Sequence, residues 1–207
     1  MSQQPNLYVI AAPSGGGKTS MIKALLERDP RVRLSVSHTT RPPRPGETDG
    51  VHYHFIDDGT FDRLISQQAF LEHAEVFGHR YGTGRLQVEQ YLAAGFDVVL
   101  DIDWQGAQQI RQNFPTCCSI FILPPSIGEL ERRLAGRGQD SVTVIRDRMA
   151  KARSEISHWK EFDFVIINDD FAAALEDLHA ILRHRRPRRT EQHPRIAPLL
   201  AELLESG

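Results

Sequence analysis

Short runs of consecutive apolar residues alternate along the chain with stretches whose apolar positions recur every three or four residues. The runs are Leu7-Tyr8-Val9-Ile10, Val98-Val99-Leu100-Asp101-Ile102, Ile120-Phe121-Ile122-Leu123 and Phe164-Val165-Ile166-Ile167. Each is apolar on successive and not alternate residues, which predicts central strands of a parallel sheet covered on both faces. Leu34-Ser35-Val36 is a candidate fifth strand. After Thr19, the residues Met21, Ile22, Leu25 and Leu26 share a helical face that Asp29-Pro30 ends. Ser126 and Glu129 form a capping box, opening a helix with Leu130 and Leu134 on one side as far as Gly136. Ile145, Met149, Ala152 and Ile156 predict a long amphipathic helix, and Leu175, Leu178, Ile181 and Leu182 another. Strands alternating with helices in this way predict a three-layer α/β core.

Residues 36–86 have a different character, rich in Thr, Arg, Pro, Gly, His and Tyr. Their own aromatic residues (Tyr53, Phe55, Phe61, Phe70, Phe77) and a short helix from Thr60 through Ile65 mark them as an inserted subdomain and not a linker. The polar stretch Gly136–Ser141 suits the hinge or tip of a lid spanning 126–152. The expected organisation is one domain, with core segments 1–35, 87–125 and 153–185 and a tail at 186–207. In that tail Arg183, Arg185, Arg186, Arg188 and Arg189 crowd around Pro187. Pro198–Glu205 then places Leu199, Leu200, Leu203 and Leu204 on one stripe, expected to dock on the core or on a second copy of the chain.

Composition narrows the class. The 207 residues carry a formal charge of -2, which argues against a whole-surface grip on nucleic acid, so any anion site must be local. No apolar run approaches the length that crosses a bilayer, and Met1–Asn6 has no signal-peptide pattern. The two cysteines, Cys117 and Cys118, are neighbours, which suits reduced thiols and a cytoplasmic chain. His52-Tyr53-His54 alternate faces on a predicted strand, with no acid or cysteine cluster to make a metal site.

The strongest chemical signal follows the first strand. Ala12-Pro13-Ser14-Gly15-Gly16-Gly17-Lys18-Thr19 lies between a strand and a helix, the context that a P-loop requires. Its glycines let backbone N–H groups turn toward a phosphate at the positive end of the helix dipole. Lys18 supplies a charge for β- and γ-phosphates, and the Thr19 hydroxyl can ligate Mg²⁺. Ala12 departs from the usual glycine. A second anion site is suggested by Arg41 and Arg44 on a proline-stiffened segment, two guanidinium forks suited to a phosphate dianion, with Tyr53 and Tyr81 as phenolic donors.

Together with Ser37–Arg44, Glu47, Tyr53, Phe70-Leu71-Glu72-His73-Ala74, Tyr81-Gly82-Thr83, Leu100-Asp101-Ile102-Asp103-Trp104-Gln105-Gly106 and Ile166-Ile167-Asn168-Asp169-Asp170, this loop resembles the guanylate kinase family of bacterial type over roughly residues 5–185. The resemblance implies a P-loop NTPase that transfers the γ-phosphate of ATP to GMP or dGMP in purine nucleotide metabolism, with Mg²⁺ as cofactor. It assigns ATP binding to Ala12, Pro13, Ser14, Gly15, Gly16, Gly17, Lys18, Thr19, Ser20 and Asn168. It assigns GMP binding to Ser37, Arg41, Arg44, Glu47, Tyr53, Glu72, Tyr81, Thr83, Asp101 and Asp103, with Glu72 reading guanine and Glu47 fixing the arginine forks. Lys18, Arg41, Arg137 and Arg148 become the catalytic cations, Arg133 a support residue, and Asp101 a water-mediated Mg²⁺ ligand beside Thr19. Two rivals share the fold: a non-catalytic phosphopeptide-binding module, and a kinase of phosphorylated sugars.

Overall fold

The computed structural model describes residues 5–76, 78–135, 142–184 and 194–205. The elements are β1 (Leu7–Ala11), α1 (Lys18–Arg28), β2 (Val32–Leu34), β3 (His38–Thr39), β4 (His54–Phe55), α2 (Asp58–Ser66), β5 (Phe70–Val76), β6 (His79–Gly84), α3 (Arg85–Ala93), β7 (Asp97–Asp101), α4 (Trp104–Asn113), β8 (Cys118–Leu123), α5 (Ile127–Ala135), α6 (Val142–Ser157), β9 (Phe164–Ile167), α7 (Phe171–His184) and α8 (Ile196–Glu205).

Five strands form one sheet in the order β2-β7-β1-β8-β9. β2 pairs with β7 in parallel, Val32 opposite Asp97, and β8 pairs with β9 in parallel, Ile120 opposite Phe164. Every residue of β1 and β8 is buried, as their unbroken apolar runs require. The fifth strand falls at Val32–Leu34 and not at 34–36: the Ser35 N–H makes the last ladder bond, to the Val99 carbonyl, and the Val36 N–H turns to the Gln87 side chain instead.

By contact the chain divides into two compact units, Met1–Val9 with Asp29–Cys118, and Ile10–Arg28 with Ser119–Gly207. The first carries a second sheet, β4-β3-β6-β5, all of whose strands fall within 36–86. Its small core centres on Phe61 of α2, 1% exposed and stacked on Phe70 at 4.8 Å. Asp57 caps α2 by accepting the Thr60 N–H, so this helix begins two residues earlier than the sequence pattern suggests. The expected strand at 52–54 shrinks to His54–Phe55, since Tyr53 makes only an isolated bridge to Asp49. Among the described residues the outer edge of β5 has no strand partner. Instead α4 covers it: Gln109 accepts from the His73 N–H and donates to its carbonyl, and Asn113 donates to the Leu71 carbonyl.

In the second unit α1 packs on α7, α5 on α6, and α6 on α8. Half of the expected capping box forms: the Ser126 hydroxyl accepts the Glu129 N–H, while the Glu129 carboxylate turns to Arg132 and Arg133. Met149, Ala152 and Ile156 of α6 are buried. α8 buries Ile196, Leu199, Leu200 and Leu203, a stripe at i, i+3, i+4 and i+7, while Leu204 lies past that stripe and stays 38% exposed. Glu202 of α8 accepts the N–H of Ile127, at the start of α5, and Arg195 pairs with Asp169. Phe77, the stretch Gly136–Ser141 and the arginines at 185, 186, 188 and 189 lie outside the described residues. No helix among the described residues is long and apolar enough to cross a membrane.

Candidate active site

β1 ends at Ala11 and α1 begins at Lys18, so the intervening loop delivers the chain straight into a helix N-terminus. A turn closes by the Gly16 N–H donating to the Pro13 carbonyl at 2.8 Å. Gly17 has φ 92°, left-handed backbone that a side chain resists, and a Cβ there would stand 2.4 Å from Asn168 Nδ2. Asn168 explains that closeness. Held by its own N–H to the Leu123 carbonyl and 5% exposed, it donates Nδ2 to the Gly16 carbonyl at 3.0 Å.

Two more side chains grip the loop. Glu155 of α6 accepts the Ser14 N–H at 2.9 Å, and Arg133 of α5, anchored on Glu129 at 2.6 Å, reaches the Gly15 carbonyl with Nη1 at 3.4 Å. The Ser14 donor and the Gly15 and Gly16 acceptors are thus directed into protein. Lys18 is half-buried, and Thr19 and Ser20 are exposed on the first turn of α1, where the helix dipole favours an anion. Arg148 of α6 donates to the Leu134 carbonyl at 2.8 Å, joining α6 to the end of α5. Arg137 lies outside the described residues.

The polar cluster of the second sheet is built from side chains. Arg41, 8% exposed, puts Nη2 on both oxygens of Glu47 at 2.8 and 2.9 Å and Nη1 on the Pro42 carbonyl. The same Glu47 accepts the Arg44 N–H at 2.7 Å, closing the proline-rich turn on itself. Arg41's hydrogen bonds hold the Glu47 carboxyl below its ordinary range. The Arg41 guanidinium lies 5.5 Å from the Tyr53 ring centre, and the Tyr81 ring meets Tyr53 edge-on. The Arg44 side chain is exposed.

Glu72 and Thr83 sit opposite one another in the β5–β6 ladder, and register alone brings them together. The Thr83 hydroxyl donates to Glu72 Oε1 at 2.5 Å, with both residues buried. Burial pushes the Glu72 carboxyl up to about 7, the Asp103 carboxylate adding to that rise and the Thr83 hydroxyl opposing it. A surface position for this acid, natural for a Glu in a polar segment, is therefore ruled out. Ser37 is buried just before β3, and Asp101 half-buried at the end of β7. Asp103 is the N-cap of α4: Oδ1 accepts the Gly106 N–H at 3.0 Å and Oδ2 the Gln105 amide.

Glu155 was invisible to sequence reasoning, since nothing distinguishes it from the other charged residues of an amphipathic helix. The reach of Arg133 was partly readable in its i, i+4 spacing from Glu129. Among the described residues, no group of three or more His, Cys, Asp or Glu is placed to hold a metal ion. The hydroxyl of Thr19 at a helix N-terminus does fit Mg²⁺, which takes few protein ligands and completes its shell with phosphate oxygens and water.

A strand running through a glycine loop into a helix defines a P-loop nucleotide-binding protein. The guanylate kinase family model matches residues 4–185. Guanylate kinase of Alkalilimnicola ehrlichii is 57% identical over 198 residues, covering 96% of this chain and 98% of that protein. Guanylate kinase of Escherichia coli strain K12 is 58% identical over 203 residues, covering 97% and 98%. Among solved structures, guanylate kinase from Anaplasma phagocytophilum is similar at a TM-score of 0.75 and 35% identity, covering 97% of this chain and 95% of that one. The chain belongs to the guanylate kinase family.

Proposed function

We infer that this protein is an ATP:GMP phosphotransferase, converting ATP and GMP to ADP and GDP. The observation that carries the choice of acceptor is the buried Glu72–Thr83 pair. Guanine offers N1–H and N2–H₂ donors beside an O6 acceptor. A buried carboxylate with a hydroxyl alongside matches that edge and rejects adenine, which lacks it. Ser37 adds a second hydroxyl. Arg41, Arg44, Tyr53 and Tyr81 take the GMP phosphate, with Glu47 holding Arg41 in place, while Asp101 supports the same side. Asp103 acts through its helix cap.

Ala12 to Ser20 take the triphosphate of ATP, Lys18 meeting the β- and γ-phosphates, and Asn168 braces the loop. Thr19 would hold Mg²⁺, which supplies charge neutralisation at the phosphate oxygens when bound. The acceptor is itself a phosphate, ionised at neutral pH, so no base has to remove a proton. Catalysis then rests on positioning and on the cations Lys18, Arg41, Arg137 and Arg148. In this reading 36–86 is the GMP-binding insertion and 126–152 the lid whose closure keeps water from the γ-phosphate. The core comprises 1–35, 87–125 and 153–185, and 186–207 is the tail. The enzyme acts in the cytoplasm, accepts dGMP as well as GMP, and its tail offers a surface for a homo-oligomer.

The phosphopeptide-binding alternative has no use for a complete phosphate loop, and this chain retains one. A coupled assay of ADP formation against GMP, dGMP, AMP, CMP, UMP and a sugar phosphate tests the proposal. GMP and dGMP are expected to turn over at least about 100-fold faster than the rest. Equal rates with AMP would overturn it.

A further inference from the structure

Glu72 can serve as a base-reading group only if its carboxylate is held at one place, and the structure shows what holds it. Thr83 secures one oxygen at 2.5 Å. The other faces the first turn of α4, where the chain has Gly106. A Cβ built on Gly106 would lie 2.5 Å from Glu72 Oε2, 3.0 Å from its Cδ and 3.2 Å from Ile102 Cδ1. The first of these is closer than real Cβ atoms come to anything. Helix α4 has little freedom to retreat. Its N-terminus is tied by Asp103 Oδ1 to the Gly106 N–H at 3.0 Å, and further along Gln109 and Asn113 bond the edge of β5.

We infer that Gly106 is a positioning residue for acceptor specificity: its missing side chain leaves the space in which the Glu72 carboxylate stands, so that helix and hydroxyl together aim it. This rests on the reading of Glu72 as the guanine-reading group. A substituent at 106 has one easy response available, displacement of the flexible end of Glu72, since the helix is pinned and Ile102 is 7% exposed in packed surroundings. Alanine also favours a helix over glycine. Gly106→Ala should therefore leave the fold intact and damage only the acceptor side, which a residue that merely packs the helix would not do.

The test compares the wild type with Gly106→Ala in KM for GMP, KM for ATP and Tm. The expected result is a KM for GMP raised by at least about tenfold, with KM for ATP within a factor of about two and Tm unchanged or higher. In a double-mutant cycle with Glu72→Asp, whose shorter stem makes room for a methyl group, the combined loss should be smaller than the product of the single losses. An unchanged KM for GMP, multiplicative losses, or a fall in Tm with both KM values rising together would each overturn the inference. Failure of the wild type itself to phosphorylate GMP would instead overturn the functional reading on which it stands.

Discussion

The phosphate loop and the Glu72 cluster solve opposite problems with opposite materials. In the proposed function the loop takes phosphate through main-chain N–H groups, with Lys18 adding charge and Thr19 a hydroxyl. Its shape is set by left-handed Gly17 and by Asn168, Arg133 and Glu155 pulling Ser14, Gly15 and Gly16 into protein. Such a site recognises any polyphosphate, since backbone amides see only negative charge. In the same proposal the Glu72 cluster reads its ligand through two side chains whose buried state carries the information: a carboxylate at 4% exposure has no water to fall back on, so a ligand without matching donors leaves it unsatisfied. Affinity can come from backbone, but discrimination needs a desolvated group with something to lose.

Lys18→Ala breaks the comparison from the donor side and should show the largest effect. Phosphoryl transfer is expected to fall by roughly 10²–10³-fold or more, while GMP affinity measured calorimetrically without ATP stays within a few fold. Simultaneous loss of both would mean that Lys18 supports the fold.

Glu72→Gln breaks it from the other side. An amide facing guanine's donors should lower kcat/KM for GMP by at least about tenfold, with KM for ATP unaltered. The same position sharpens the contrast through pH. With the folded carboxyl at about 7 against an ordinary 4.5, and guanine requiring the ionised form, GMP affinity should rise by up to about tenfold per unit as pH climbs from 6 toward 7 and level off above. Calorimetric titrations at pH 6, 7 and 8 on wild type and Glu72→Gln check this; the variant should lose that component of the dependence.

Stability moves the other way. A carboxyl whose pKa is raised by folding favours the folded state fully below pH 4.5, and that contribution is lost as pH rises through 7. Without nucleotide, Glu72→Gln should therefore gain on the wild type by roughly 1–3 kcal/mol between pH 5 and pH 8 in denaturant titrations. An equal pH slope for the two proteins would place the carboxylate in water.

Smallest in effect should be Glu202→Ala, which removes the acceptor on the Ile127 N–H. An exposed helix-terminal contact of this kind is expected to lower Tm by no more than about 3 °C and leave both KM values unchanged. A rise in KM for ATP would extend the donor apparatus into α8.

The donor loop was legible because its determinants are consecutive: seven residues between an apolar run and a helical period state the strand, the turn and the anion-facing N–H groups. The main strands and helices were legible for the same reason, each resting on a local period. The acceptor cluster was not. Glu72 meets Thr83 through a ladder register, Gly106 meets Glu72 across from a helix 34 positions further on, and neither distance leaves a mark in local pattern. Only resemblance to a family singled out Glu72, and it left Gly106 and Glu155 without a role. The misplaced fifth strand and the shortened β4 have a related cause, for in segments of two or three residues pairing partners outweigh propensity.

The division of the chain into Met1–Val9 with Asp29–Cys118, and Ile10–Arg28 with Ser119–Gly207, also predicts an order of events at the ribosome. Every residue of the first unit has been made once synthesis passes Cys118. The phosphate loop, although encoded among the first twenty codons, belongs to the unit that waits for Asn168, Glu155 and α8. At roughly 5–20 residues per second, that wait lasts on the order of ten seconds. During it the apolar β1 run is complete in sequence but short of its later partner β8. A nascent chain stalled just after Cys118 has left the ribosome should already protect 36–86 from protease while Lys18–Arg28 is still cut.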